Sequence, residues 1–401
     1  MSGMIGNATE DTGAAPNGSR RAQLLLLAGI GAATAAAHLG NNFTTYLIGG
    51  LIDRYGFTPA QMGVWSMTEL LAFAVSMFLV APRVASLSPR WLMIAAGVLV
   101  AAGQFASAGL SGFAPLLAGR IATGFGFGLA NTALNLAASR TRLAARAVSV
   151  GIAFQTALYT VLNLVLPQVG ARHGVGGMFV ALGAVVAVLT LSAVWLPDAA
   201  AAPVNRPSGV RAAPMTADSW RVIAAMALFS FGSLAIWPFV ERTAHAIGLS
   251  AVAFGRYQSL ATLACATSNV VLAIVVARLR VGWALAAALL VCGLSCAALT
   301  TVASAPAFAT ALVLYNVSWL LVYPLIIGIA CMIDPGGRLS VLCSGTWLLT
   351  MALGSLITGL SVQKLGAYTL VGPFGLLFCI AAIIVVMPLA LRSAQDRADV
   401  L

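Results

Sequence analysis

The sequence predicts an all-α polytopic membrane protein with twelve transmembrane helices arranged as two parallel six-helix repeats. Three observations predict this class: a composition too apolar for a water-soluble surface, twelve long apolar stretches, and a repeat that spans the chain. Hydrophobic residues make up 61% of the 401 residues and charged residues only 8%, whereas soluble domains carry about 25% charged residues. A chain with so few charges needs lipid as part of its solvent.

Twelve apolar stretches are long enough to cross a hydrocarbon layer, which takes roughly 20 helical residues. They cover residues 22–46, 60–81, 91–109, 113–138, 147–168, 175–196, 221–240, 251–277, 283–302, 306–331, 340–361 and 369–391. Their unbroken apolar runs differ from the alternating strands of a membrane barrel. The first stretch is longer than the core of a cleavable signal peptide, so we expect it to remain in the protein.

The net charge of +11 is distributed unevenly across the predicted membrane. With the N-terminus inside, 15 of the 21 basic residues fall in inside segments. This bias follows the positive-inside rule, so it predicts a multi-pass membrane protein with both termini in the cytoplasm. The charge therefore gives no reason to expect a nucleic-acid partner, and the expected partner is the lipid bilayer.

One short pattern occurs twice, as GFTPAQMGVW at residues 56–65 and as GLSAVAFGRY at residues 248–257. The same 192-residue offset relates Trp91 to Trp283 and Arg146 to Arg338. We therefore expect two copies of a six-helix unit that enter the membrane from the same side, with a solute path at their interface. The predicted order is a disordered cytoplasmic tail, a first bundle, a cytoplasmic linker, a second bundle and a cytoplasmic tail, at residues 1–19, 20–196, 197–220, 221–391 and 392–401.

In the fourth predicted span, Arg120 and the following IATGFGFG resemble the R-x-x-x-G-x-G pattern of the major facilitator superfamily. GFTPAQMG before the second span and IDPGGR before the eleventh also resemble segments of its bacterial members. The resemblance covers residues 20–391 and implies a transporter that alternates access by rocking two six-helix bundles around a central site. The resemblance to bacterial members also implies a protein of the bacterial inner membrane. We expect a monomer without a cofactor, driven by a proton gradient.

The sequence also departs from the superfamily in two places. The loop between the second and third spans reads VAPRVASLSPR and lacks the acid that is usual there. The string Asp53-Arg54-Tyr55-Gly56 matches part of that motif, but we place it in an outside loop and assign it no role. The fifth span lacks the Gly-Pro-rich stretch typical of drug/proton antiporters, which disfavours a drug-efflux function.

Catalytic motifs are not recognisable in the sequence, and we expect a protein that is not an enzyme. Lys364 is the only lysine and lies in no phosphate-binding loop, and the three histidines are far apart in sequence. The six cysteines include no CxxC pair and suggest apolar packing rather than a disulfide or metal site. GFGFG at residues 124–128 fits close packing of helices through small residues better than a dinucleotide loop.

Two charged residues lie well inside predicted spans, Glu69 in the second and Arg120 in the fourth. Both lie roughly 10–14 Å below the outer ends of their helices, where an ionised group costs about 2.5–3.5 kcal/mol or more. Opposite charges at matching depth suggest a pair, which either exchanges protons through Glu69 or is a static structural contact. His38 reaches a similar depth and is either a third coupling residue or a hydrogen-bonded core imidazole.

Polar and aromatic residues recur at helical spacing on one face of seven predicted spans. Such faces either join neighbouring helices or line a wet cavity, and their presence in both halves favours a shared central cavity. The residues predicted to contact solute are Asn42, Trp65, Gln155, Tyr159, Trp237, Gln258, Asn316, Trp319, Tyr323 and Trp347. Glu69 and Arg120 correspond to Ala261 and Leu312 in the second copy. We therefore expect the first half to couple to protons and the second to supply more of the solute contacts.

The sequence as a whole predicts secondary active transport of a small organic solute with an aromatic or apolar portion, coupled to protons. One alternative is an efflux antiporter for drugs or metabolites. Another, of a different class, is a receptor or assembly factor that has this fold and does not transport. The solute and the direction of flux do not follow from the sequence.

Overall fold

A computed structural model of the chain describes residues 20–80, 83, 86–139, 141, 144–198, 215–275, 281–334 and 338–398. These residues are helical, with short connections and no β-strand among them. The predicted tail at residues 1–19 and most of the predicted linker at 197–220 lie outside the described residues. The last helix continues to Ala398, so most of the predicted tail at 392–401 is helix.

The described part of the chain forms twelve α-helices. They are α1 (Arg20–Tyr55), α2 (Pro59–Val80), α3 (Pro89–Ala108), α4 (Phe113–Ser139), α5 (Ala144–Leu191), α6 (Ala217–Ser233), α7 (Val240–Ala246), α8 (Ala251–Val275), α9 (Val281–Thr301), α10 (Ala305–Ile333), α11 (Arg338–Leu365) and α12 (Val371–Ala398). Short 3-10 helices follow α5 at Ser192–Trp195 and separate α6 from α7 at Trp237–Phe239.

Ten segments of the described chain are long and apolar enough to cross a membrane. One of them, Ser149–Trp195, has 47 residues and contains Gly174, whose φ of 65° interrupts the helix. The interruption divides this segment into two spans, in agreement with the predicted spans 147–168 and 175–196. Together with α8, a 25-residue helix that is not among the ten, the described helices are consistent with the twelve crossings that the sequence predicts.

The predicted seventh span, 221–240, is not one helix. α6 ends at Ser233, and α7 begins only after a 3-10 turn that contains Pro238. Proline has no N–H to donate and its ring clashes with the carbonyl four residues earlier, so it ends a regular helix. The polar face that we extended through this span therefore changes direction at the turn.

α1 is longer than predicted, because it ends at Tyr55 instead of residue 46. Gly56 follows it with a φ of 66° and donates its N–H to the carbonyl of Ile52 at 2.9 Å, as is usual where a glycine ends a helix. Asp53 and Arg54 thus belong to the last turn of α1. Their placement in an outside loop was wrong.

The glycines of the repeat adopt the same backbone conformation in both copies. Gly56 and Gly248 have φ of 66° and 81°, and Gly174 and Gly366 have φ of 65° and 69°. Both pairs are separated by 192 residues. A positive φ is costly for residues with a Cβ, so the repeated glycines mark equivalent turns of the two six-helix units.

The short pattern that occurs twice in the sequence also makes equivalent contacts between the halves. A Cβ on Gly63 of α2 would lie 2.8 Å from the carbonyl oxygen of Ser355 on α11, and one on Gly255 of α8 would lie 2.3 Å from that of Asn163 on α5. Ser355 and Asn163 are also 192 residues apart. Each copy of the pattern therefore supplies a turn and a glycine that lets its helix approach the other half closely.

The helices pack within two groups, α1 to α5 and α6 to α12, which meet along α2–α11 and α5–α8. Contacts of α1 with α7 and with the turn that precedes it join the groups at one end. We call this the distal end; it carries the α1–α2 and α7–α8 turns and is opposite the N-terminus of α1. The site described next lies inside the first group.

Candidate functional site

Glu69 and Arg120, which the sequence suggests as a pair because they lie at matching depth, are in contact. Nη1 of Arg120 on α4 lies 2.6 Å from Oε2 of Glu69 on α2, and both side chains are only 2% exposed. Arg120 also donates to the hydroxyl of Thr44 on α1. Its guanidinium carbon lies 3.7 Å from the centre of the Trp65 ring, a distance typical of a cation–π contact. The site therefore joins α1, α2 and α4.

Glycines make room for this ion pair between the helices. A Cβ on Gly40 of α1 would lie 2.1 Å from the ring of Phe127 and 2.7 Å from Oε2 of Glu69. On α4, a Cβ on Gly124 would lie 2.5 Å from the carbonyl oxygen of Glu69. The carboxyl group is thus held against the α1 backbone, and the GFGFG string serves the close helix packing that the sequence suggests.

The hydrogen-bonding capacity of the pair is only partly used. Among the described residues, Arg120 Nε has no partner, and the contact between Nη1 and Glu69 Oε2 is an ion pair without hydrogen-bond geometry. A buried ion pair repays its desolvation only when its remaining donors and acceptors are satisfied. The pair is therefore weak evidence for stability and invites a functional explanation.

The second half has no equivalent of this site. Ala261 and Leu312 occupy the positions related to Glu69 and Arg120 by the repeat, and both are fully buried. An apolar pair at these positions costs nothing to desolvate. The ionisable site is thus a specialisation of the first half.

His38 lies near this site on α1, and its described contacts are with other groups. Its Nδ1 is 3.0 Å from the carbonyl oxygen of Thr34, and the side chain of Gln155 on α5 is its hydrogen-bond neighbour. Asn42 donates to the carbonyl of His38 at 2.8 Å. These contacts fit a hydrogen-bonded core imidazole, and a role of His38 in coupling stays a prediction.

The other residues predicted to contact solute in the first half surround α1. Trp65 donates through Nε1 to the carbonyl of Leu116 at 3.3 Å. The hydroxyl of Tyr159 on α5 donates to the carbonyl of Ala35 at 2.6 Å. Tyr159 and Gln155 thus reach α1 from α5, and Asn42 bonds within α1. Trp65 lies apart from them, beside the ion pair and against α4.

Four of the six predicted residues of the second half form two clusters, and Trp319 and Trp237 lie outside them. Gln258 and Asn316 pair through their amides at 3.1 and 3.4 Å, between α8 and α10. Tyr323 bonds to the hydroxyl of Ser344 at 2.9 Å, and its ring lies 5.3 Å from that of Trp347. Within the described residues, the buried Nε1 of Trp347 has no hydrogen-bond partner, and Trp319 packs half-buried against the apolar core.

A cavity of about 190 Å³ lies elsewhere, between α6, α11 and α12. Its walls are mostly apolar, with Phe231, Ile357 and Phe374 among them, and it contains no residue predicted to contact solute. We give the predicted clusters more weight, because a solute site needs a few convergent polar groups. Solute contact by these residues stays a prediction.

A second charged cluster joins the halves at the distal end, and the sequence analysis missed it. Arg242 of α7 donates from Nη1 and Nη2 to the two carboxylate oxygens of Asp53 on α1, both at 2.7 Å, and from Nε to Glu241 at 3.0 Å. The backbone N–H of Glu241 donates to Thr45 at 2.9 Å, and Trp237 donates to the carbonyl of Asn41 at 2.8 Å. The sequence signal that could have revealed this cluster is an acid next to a base near the end of the first helix of each repeat, at residues 53–54 and 241–242.

Uncharged hydrogen bonds join the halves closer to the middle of the bundle. Tyr46 donates to Oδ1 of Asn163 at 3.0 Å, and the amide nitrogen of Asn163 donates to Thr262 on α8 at 3.1 Å. Ser259 donates to the carbonyl of Thr160 at 2.9 Å. α1, α5 and α8 are thus connected by one continuous set of hydrogen bonds.

Solved transporters share the path of this chain through the bundle. A mutant of the nucleoside transporter NupG superposes with a TM-score of 0.73 at 11% identity, over 91% of this chain and 99% of that one. NupG itself gives 0.66 at 16% identity, over 91% and 98% of the two chains. A bacterial homologue of the human lysosomal transporter Spinster, in an inward-facing, occupied conformation, gives 0.63 at 14%, over 94% and 97%.

The chain has the major facilitator fold. The likeness extends over nearly the whole length of both partners, so it includes both six-helix units. No protein-family profile and no curated protein matches the sequence. At these identities the likeness shows the fold alone, and the fold agrees with the resemblance found in the Arg120 and GFTPAQMG segments. With this fold and these long apolar helices, the chain is a multi-pass membrane protein.

Proposed function

We propose that this protein is a secondary active transporter that moves a small organic solute across a bacterial cytoplasmic membrane and couples that movement to protons through Glu69. The observation that carries the proposal is the buried Glu69–Arg120 pair, present in the first half and replaced by Ala261 and Leu312 in the second. Solved proteins with this fold that are transporters by name support the transport function.

The surroundings of Glu69 support proton exchange at this residue. An ionised carboxyl group that is 2% exposed depends on Arg120 for compensation, whereas the protonated group needs none. Protonation of Glu69 would leave Arg120 with the hydroxyl of Thr44 on α1 and the ring of Trp65 as its partners. The next residue, Thr45, accepts the N–H of Glu241 from the other half. The ion pair and the contact between the halves thus involve adjacent residues of α1, although their charged groups form separate clusters.

The polar and aromatic clusters suit a solute with a flat apolar portion and a few hydrogen-bonding groups. Trp237, Trp319 and Trp347 offer apolar walls, and Gln258 and Asn316 offer amides, which pair with each other in the structure. Nucleosides have this character, and a transporter that is named for them has the same fold. With both termini in the cytoplasm, the distal end faces outward.

The proposal is tested with purified protein in liposomes that contain a pH-sensitive dye. Nucleosides, aromatic acids, sugars and organic amines are added outside in turn, to wild type, Glu69→Gln and Asp218→Asn. Asp218 is a surface acid paired with Arg221, so it gives a matched carboxyl-to-amide control. We expect one solute class to acidify the interior with wild type and Asp218→Asn and not with Glu69→Gln. If a radiolabelled solute equilibrates without any proton movement, the protein is a uniporter and the pair is structural.

A further inference from the structure

The charged cluster at the distal end contains more acid than base. Arg242 is its one guanidinium, and it serves two carboxylates, Asp53 of the first half and Glu241 beside it on α7. With all three groups ionised, the cluster carries one surplus negative charge. The bonds are also unequal, because Asp53 receives two of them at 2.7 Å and Glu241 receives one at 3.0 Å.

Burial decides which of the two carboxyl groups takes up a proton. The side chain of Asp53 is 60% exposed and can be solvated by water. The side chain of Glu241 is 4% exposed and lies directly against α1, where a Cβ on Gly49 would be 2.3 Å from its Oε2. A buried carboxylate that shares its only strong partner is the more costly one to keep ionised. Glu241 is therefore the carboxyl group whose protonation removes the surplus charge at the lower cost.

The other titratable groups around Glu241 do not supply a second buried cation. Tyr46 and Asp53 face it from α1, and Tyr368 faces it from the α11–α12 connection. On α7 its neighbours are Arg242 and His245, and the side chain of His245 is exposed. The charge state of Glu241 thus depends mainly on whether Arg242 is shared with Asp53.

We propose that Glu241 is a second proton-binding site, which is occupied when the halves are joined at the distal end and empties when they part. When they are joined, Arg242 is bound to Asp53 and Glu241 holds a proton. When they part, Arg242 leaves Asp53 and pairs with Glu241 alone. The Glu241 proton then passes to water at the distal end, and Asp53 remains ionised and hydrated. One proton is bound on each closure and released on each opening.

This inference rests on the proposed transport function, in which the two halves move alternately. It also changes the expectation of which half binds protons. The sequence suggested proton coupling in the first half only. Glu241 adds a proton site in the second half, at the contact that must open for solute to enter from outside. Proton binding and closure of the distal end are then linked directly.

The test measures the distance between the halves by pulsed electron paramagnetic resonance. Spin labels are placed at Ala171 and Lys364, which are exposed at the distal end of the first and second halves, in a Cys331→Ser background because Cys331 is the exposed native thiol. Lower pH favours the protonated form and hence the closed state. The closed-to-open ratio is expected to rise as pH falls, by up to about tenfold per pH unit for one proton.

Two variants separate Glu241 from other titrating groups. Glu241→Gln imitates the protonated carboxyl group and is expected to stay closed at every pH. Asp53→Asn removes the competing acid, so Arg242 pairs with Glu241 throughout, and the pH response is expected to be lost with the distal end more open. As a control, Asp218→Asn should keep the wild-type distal response, because Asp218 is a surface acid paired with Arg221 and lies outside both charged clusters.

The distance measurement does not depend on transport, so the two proposals can fail separately. A pH response that persists in Glu241→Gln, or one that disappears in Asp218→Asn, overturns the assignment to Glu241. Wild-type distances that do not change with pH overturn it as well. If the distal end responds as expected while no solute moves protons in liposomes, the inference stands and the proposed transport function fails.

Discussion

Arg120 has three different partners in the core of the first half: the carboxylate of Glu69, the hydroxyl of Thr44 and the ring of Trp65. Thr44 lies on α1, and Glu69 and Trp65 lie on α2. The guanidinium group therefore connects α4 to two helices that do not adjoin it in sequence. At the residue scale, these contacts make the structure around the pair sensitive to the loss of either charge. Loss of either charge leaves the other buried, whereas loss of both leaves two neutral amides.

Arg120→Gln is expected to destabilise the protein more than the double variant Glu69→Gln/Arg120→Gln. Removing one partner of a buried pair costs about 3–5 kcal/mol, because the remaining carboxylate has no compensation. Thermal unfolding in detergent of wild type, both single variants and the double variant measures the difference. A double variant that is less stable than Arg120→Gln would mean that the pair stabilises the fold through its charge.

Gly40→Ala is expected to displace the carboxyl group of Glu69 and to reduce both stability and proton-coupled transport. The new methyl group would lie 2.1 Å from Phe127 and within 2.8 Å of both Glu69 oxygens. The matched control is Gly328→Ala on α10, where a Cβ would meet nothing within 4 Å. Unfolding temperature and dye-monitored proton flux are compared for the two variants. Equal behaviour of both would contradict the close seating of Glu69 on α1.

Sequence reasoning found Glu69 and Arg120 because two opposite charges at one depth are rare in an apolar chain. It did not find Thr44 or Gly40, because threonine and glycine are common in membrane helices and sequence does not show which face of α1 meets α2 and α4. Asp53 was misplaced for a different reason. The apolar run of α1 ends before the helix does, and the last turn is polar because it reaches Arg242 of the other half.

At the scale of the elements, the 192-residue repeat explains more than the number of helices. It includes the glycine turns at Gly56 and Gly248 and the cross-half contacts of Gly63 and Gly255. These features depend on local backbone conformation, which glycine at a fixed position specifies. The break before α7 follows another rule. Pro238 has no counterpart at position 46, so α1 is continuous and its partner is interrupted, and a period-based prediction of span 221–240 could not include the break.

Gly128→Ala is expected to push α4 away from α2. A Cβ there would lie 1.8 Å from Oγ of Ser76 and 2.4 Å from the carbonyl oxygen of Phe73. The carbonyl cannot rotate away, so overpacking should cost about 1–3 kcal/mol. Thermal unfolding measures the loss against Gly345→Ala on α11, where the nearest atom would be 3.9 Å away. A loss no greater than that of the control would show that α2 and α4 can separate freely.

At the scale of the whole molecule, the two halves meet in equivalent ways, α2 on α11 and α8 on α5. Glycine at the contact gives each pair of helices a close approach that any side chain would hinder. The fold itself was predictable, because composition, span count and the repeat all indicate it. The arrangement of the solute clusters was not, because it depends on how the halves are joined and on which amides pair with each other.

Gly255→Ala is expected to leave each half folded and to hold the halves apart at the distal end. The added Cβ would lie 2.3 Å from the carbonyl oxygen of Asn163 and 2.7 Å from Pro167, both in the other half. The distance between spin labels at Ala171 and Lys364 should lengthen, and the unfolding temperature should change little. Gly328→Ala serves again as the control. An unchanged distance would contradict a rigid contact between α5 and α8.

Concentrative uptake under an imposed proton gradient tests the central claim most directly. Liposomes with an alkaline interior are diluted into acidic buffer that contains the radiolabelled solute identified by the dye assay. The account predicts that wild type accumulates the solute above the outside concentration and loses it when a protonophore is added. Glu69→Gln should only equilibrate. Accumulation by Glu69→Gln at the wild-type level, or equilibration without accumulation by wild type, would contradict proton coupling through the buried pair.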